Sequence, residues 1–130
     1  MQAIDVTDLL GVPYEKNGRT LDGLDCYGLV LEVCKRFGYK LPDFEYDNTS
    51  YSSFITARNS IKPSDYGLEI SDSPYKQGDL ILFKVKCQFD NHCGVYLGDD
   101  QFIHCDMFGV HVQSLKDYPF EIGSVYKWLY

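Results

Sequence analysis

The chain has 130 residues, 15% of them aromatic, and carries a formal net charge of −7. That length predicts a single domain over residues 1–130 with a core that needs no staple, and the aromatic content excludes a disordered chain. The acidic balance, with no Lys/Arg cluster, argues against nucleic acid as a partner, and no apolar run is long enough for membrane insertion.

In chain order, Met1-Gln2-Ala3-Ile4-Asp5 lacks the basic and apolar regions of a signal peptide, so synthesis in the cytoplasm is expected. The odd count of five cysteines fits free thiols in a reducing compartment. Ile4 to Leu10 reads as a short amphipathic helix closed by Gly11 and Pro13. A turn-rich loop, Tyr14 to Arg19, leads to the most informative stretch, Asp22 to Gly38. Its apolar residues Cys26, Leu29, Val30, Val33, Cys34 and Phe37 follow the spacing of one buried helical face. Asp25 is a natural N-cap, Lys35 and Arg36 suit the last turn, and Gly38 suits the stop. Cys26 thus falls in a first helical turn, where backbone N–H groups and the helix dipole favour a thiolate.

Asp47-Asn48-Thr49-Ser50 offers caps for a second helix reaching Ser60, and residues 61–78 read as a polar surface connection. Asp79 to Lys86, Asn91 to Leu97, Gln101 to Asp106, Val110 to Leu115 and Ile122 to Leu129 are β-rich runs separated by Gly, Asp and Pro signals. Helices followed by an antiparallel meander predict an α+β fold, with the Cys26 helix packed on a five- to six-stranded sheet.

A nucleophilic thiol needs a base to take its proton, and the base needs a third polar group to orient it. Cys26, His92 and His104 supply these types from a helix start and two adjacent strands. The two histidines share a sheet face only if the hairpin between them has an odd loop or a parity-restoring bulge, which sets Gly94 opposite His104.

Four segments in this order, Asp25-Cys26-x-Gly28-Leu29, Gly78 to Phe83, His92-x-Gly94-Val95-Tyr96-Leu97-Gly98 and Phe102-Ile103-His104, resemble the NlpC-type cell-wall endopeptidases. These are papain-like cysteine peptidases of bacteria and their phages, and the resemblance runs from about Tyr14 to the strand ending at Leu129. It implies a papain-like fold, Cys26 as nucleophile, His92 as base, His104 as the orienting residue, no cofactor, and cleavage of peptidoglycan stem peptides beside D-glutamate. Tyr14 matches a tyrosine that lines the site and the oxyanion region; Asp25 and Tyr27 flank the nucleophile and join it as lining residues. The position of Tyr27 is commonly Ser in the family, and an aromatic there resembles phage-tail members, which makes phage tail proteins candidate partners and a tail a candidate carrier to the wall. An acyltransferase or amidase on the same fold, or a non-catalytic tail module, are the alternatives.

Cys87, His92, Cys93, His104 and Cys105 invite a zinc reading, but the neighbours within each His-Cys pair point to opposite strand faces, so no metal is expected. Cys34, Cys93 and Cys105 read as core residues and His111 as a strand or surface histidine.

Overall fold

A computed structural model describes residues 4–43, 62–72 and 74–129. The expected second helix between Asp47 and Ser60 lies outside the described residues. The chain enters through a 3-10 turn at Thr7–Leu9, where a longer helix is expected from Ile4 to Leu10. The Gly11 N–H bonds to Val110 of a distant strand, so the turn does not propagate. Two short antiparallel strands, β1 (Arg19–Thr20) and β2 (Gly23–Leu24), then deliver the chain to helix α1 (Cys26–Phe37).

Helix α1 follows its caps. Asp25 has extended backbone and accepts from the Gly28 N–H at 2.7 Å, and Gly38 closes the helix at φ 90°. The face carrying Cys26, Leu29, Val30, Val33 and Cys34 is buried, as the spacing predicts. A Cβ on Gly28 would collide with the Gly18 carbonyl, so a glycine two residues after Cys26 lets the preceding loop lie across the first turn.

The sheet has six strands in the order β3-β8-β4-β5-β6-β7, all antiparallel. They are β3 (Leu68–Ile70), β4 (Leu80–Lys84), β5 (His92–Gly98), β6 (Gln101–Asp106), β7 (Gly109–Ser114) and β8 (Glu121–Trp128). Strand β3 falls within the stretch read from sequence as a surface connection. It is an edge strand of three residues, only one of them buried, too short for alternation to show.

Sheet alternation creates two apolar clusters. Cys93, Val95, Ile103 and Cys105 face α1 and pack with Cys26, Leu29, Val33 and Cys34. Ile81, Phe83 and Phe102 point to the opposite face, where Tyr96 and Tyr118 close over them. Trp128 stacks on Tyr39 with ring centroids 4.1 Å apart, which ties the end of β8 to the segment leaving α1. Among the described residues no helix is long and apolar enough to cross a membrane.

Candidate active site

The β5–β6 hairpin turns through Asp99 and Asp100, both at positive φ (52° and 66°), the signature of a two-residue type I′ connection. An uncorrected two-residue loop would place His92 and His104 on opposite faces. A bulge between Tyr96 and Gly98 absorbs one residue, and beyond it Gly94 pairs with His104. The expected parity is therefore met by the bulge. With no side chain on Gly94, the imidazoles of His92 and His104 meet across it, Nε2 to Nδ1, at 2.7 Å.

Local anchors fix this pair. The Asn91 side chain accepts from Val85 N–H at 2.8 Å and donates to the Val85 carbonyl at 3.0 Å, closing the loop that feeds His92. His92 lies against Phe83, and the His104 ring lies among Phe102, His111 and Tyr118. His104 is 0% exposed, and burial, helped by the neighbouring His92, lowers its pKa to about 4. It is thus neutral at ordinary pH. Its Nε2 meets the side-chain oxygen of Gln113 at 2.5 Å.

Cys26 occupies the first position of α1, is 7% exposed, and meets the sheet at Cys93, the residue next to His92 in β5. Cys93 is hydrogen-bonded to Cys26, and that bond, together with burial, pushes the Cys93 thiol well up. The Cys105 thiol donates to the Leu24 carbonyl at 3.1 Å, and burial raises it to about 12; burial does the same to Cys34. The structure thus joins His92 to His104 and sets Cys26 beside Cys93.

Of the other expected residues, Asp25 turns its carboxylate inward. One oxygen accepts from Gly28 N–H and from Arg19 at 2.8 Å, and the other accepts from Asn17 N–H at 3.1 Å. Burial raises the Asp25 carboxyl against the pull of these partners. Its visible role is to brace the turn that holds Cys26. The Tyr27 hydroxyl donates to the Pro42 carbonyl at 2.5 Å and its ring lies under the Arg19 guanidinium, 5.7 Å away. Tyr14 is exposed and is bridged to Leu24, with Pro13 and Glu15 bonded to the same residue.

His111, read from sequence as a strand or surface histidine, lies in β7 opposite His104 and meets Asp106 at 3.0 Å. His104, Asp106 and His111 place potential metal-ligand atoms within 4.8 Å of one another. Both nitrogens of His104 are already hydrogen-bonded, so a metal there would have to displace His92 or Gln113. Sequence reasoning missed Gln113 and the bond made by Cys93. Strand parity was the available signal for both: Gln113 is two residues from His111 on the same face, and Cys93 sits on the helix side of β5.

Comparison with known proteins bears on the fold and the family. Residues 11–122 match the model of the NlpC/P60 family. Murein DD-endopeptidase MepS/Murein LD-carboxypeptidase of Escherichia coli strain K12 is 30% identical over 112 residues, covering 85% of this chain and 51% of the relative. Probable peptidoglycan endopeptidase LytE of Bacillus subtilis strain 168 is 28% identical over 113 residues, covering 87% of this chain and 29% of that protein. The chain therefore spans about half or less of the length of these two relatives. Among solved structures, NlpC1 from Trichomonas vaginalis superposes with a TM-score of 0.68 at 21% identity, covering 92% of this chain and 40% of that one. The NlpC/p60 domain of peptidoglycan hydrolase SagA does so with a TM-score of 0.60 at 23% identity, covering 90% and 89%. With a capped helix opening on a cysteine, an antiparallel sheet carrying paired histidines, and a family match across most of its length, this chain belongs to the NlpC/P60 family.

Proposed function

We propose that the protein hydrolyses amide bonds in peptidoglycan stem peptides, with Cys26 as nucleophile, His92 as base and His104 as orienting residue. The observation that carries this reading is the His92–His104 hydrogen bond, in a chain whose helix α1 opens on Cys26 and packs that cysteine with Cys93, the residue after His92 in β5. Family membership and relatives named as murein and peptidoglycan endopeptidases support the substrate class.

In this reading the Cys26 thiol gives its proton to His92 and the sulfur attacks the scissile carbonyl carbon. The resulting oxyanion is held by the backbone N–H of Cys26, with Tyr14, bridged to Leu24 two residues before Cys26, as the second contributor. The His92 imidazolium passes its proton to the leaving amine, the C–N bond breaks, and an acyl-enzyme remains. His92 then takes a proton from water, which attacks the thioester and releases a carboxylate and the free thiol. By family resemblance the bond follows the D-glutamyl residue.

The test is incubation of purified peptidoglycan with wild type and Cys26→Ala, followed by mass spectrometry of the muropeptides. Wild type should shorten stem peptides and leave glycan strands intact, and Cys26→Ala should leave both intact while keeping a native circular dichroism spectrum. Release of sugar fragments alone, or equal cutting by Cys26→Ala, would overturn the reading.

A further inference from the structure

The hydrogen-bond chain that begins at His92 continues past His104 to Gln113 in β7. An amide oxygen only accepts, so the proton in the 2.5 Å contact belongs to His104 Nε2. A neutral imidazole carries one N–H, which leaves His104 Nδ1 as an acceptor. The 2.7 Å bond must then run from His92 Nε2–H to His104 Nδ1. That assignment puts the free lone pair of His92 on Nδ1. We infer that Gln113 is a positioning residue: by accepting from His104 it fixes the tautomers of both histidines and so decides which nitrogen of His92 serves as base. The catalytic consequence rests on the peptidase reading above, whereas the tautomers themselves rest on the geometry.

The fold supplies the placement. Register across β6 and β7 pairs Phe102 with Gln113 and His104 with His111, so Gln113 reaches His104 diagonally on the same face. Its neighbour Ser114 is pinned to Asp100 at 2.6 Å. The titratable groups around His104 are His92 from β5, Asp106 on its own strand, His111 from β7 and Tyr118 beyond β7. His111 and Asp106 are engaged with each other at 3.0 Å, leaving Gln113 as the partner of His104 Nε2. The choice of a neutral amide has a chemical consequence. A carboxylate in this place would favour a second proton on His104 and remove its acceptor for His92; the amide accepts without that pull.

Two variants test this on the whole chain labelled with 15N-histidine. Gln113→Leu removes the acceptor, and Gln113→Glu restores one that carries charge. In wild type, long-range 1H–15N spectra should show His104 as the Nε2–H tautomer throughout the neutral range. Gln113→Leu should mix the tautomers, and Gln113→Glu should return His104 to an Nε2-protonated form. On muropeptide substrate, kcat of Gln113→Leu should fall roughly tenfold with KM held within about twofold, because orientation rather than binding is lost. The alkaline limb of the pH profile should move to lower pH in both variants, because Gln113→Leu leaves His104 unoriented and Gln113→Glu charges His104 and removes the acceptor of His92 Nε2–H. An unchanged His104 tautomer in folded Gln113→Leu overturns the inference, as does a loss carried by KM with no movement of the pH limb. If wild type cuts no muropeptide, the peptidase reading fails while the tautomer spectra still decide the role of Gln113.

Discussion

Replacing Gly94 by alanine tests the hairpin register and the histidine pair in one step. A Cβ at this position would stand 2.8 Å from the Ile103 carbonyl oxygen, 3.1 Å from His104 Cβ and 3.2 Å from a Phe102 ring carbon. The nearest obstacle is backbone in a paired strand, so no side chain can swing aside. Bringing 2.8 Å out to ordinary contact at 3.4 Å needs β6 to yield by about 0.6 Å. Overpacking of this kind costs about 1–3 kcal/mol, which at a urea m-value of about 2 kcal/mol/M lowers the midpoint by roughly 0.5–1.5 M. The same displacement would stretch the 2.7 Å bond between His92 and His104 beyond the ordinary limit of about 3.2 Å. Stability and relay should therefore fail together. Urea unfolding followed by circular dichroism reads the first effect, and the imidazole 15N shifts of His92 and His104 read the second. Should Gly94→Ala unfold within about 0.5 kcal/mol of wild type and keep both histidine signals, the close approach of the strands at Gly94 would be wrong.

The two remaining expectations concern thiols and acid. Limited iodoacetamide at mildly acidic pH, read by peptide mapping, should label Cys26 ahead of Cys34, Cys93 and Cys105, whose thiols are all raised by burial or by the bond to Cys26; preferential labelling of Cys105 would refute the assignment of the nucleophile. His104 is held neutral down to about pH 4, whereas the unfolded chain takes up that proton near pH 6.5. Between these values the unfolded state binds more protons, so the His104 contribution is complete above pH 6.5 and is lost as pH falls toward 4, by on the order of 3 kcal/mol. Urea titrations across that window should show the decline in wild type and a flatter course in His104→Leu; equal slopes would contradict the burial of a neutral imidazole.

Much of this was legible in the residues. Helix α1 announced itself because a cap, an apolar stripe and a glycine stop agreed within one short segment. The five strands from Leu80 onward showed because each is bounded by turn residues and half buried. That His92 and His104 share a face was expected because one site needs both, and strand parity then allowed an odd loop or a bulge; the chain uses the bulge, and nothing in the residues chose between the two. What stayed hidden depends on distant partners. The helix expected from Ile4 to Leu10 is cut to one turn by a bond to Val110, nearly a hundred positions away. Strand β3 exists because the exposed edge of β8 was available to it. The inward turn of Asp25 needs Arg19 and the Asn17 N–H, which no local pattern assembles.

The two halves of the proposed site come from different ends of the chain: the thiol from the early helix, and the paired imidazoles from later strands. During synthesis the helix leaves the ribosome first, and under the proposed mechanism its cysteine has no base until β5, β6 and β7 have paired. A chain stalled or clipped before β7 would keep Cys26 and His92 and still lack the residue that holds His104 in place. In the peptidase reading proposed above, activity is thereby timed by assembly of the last strands.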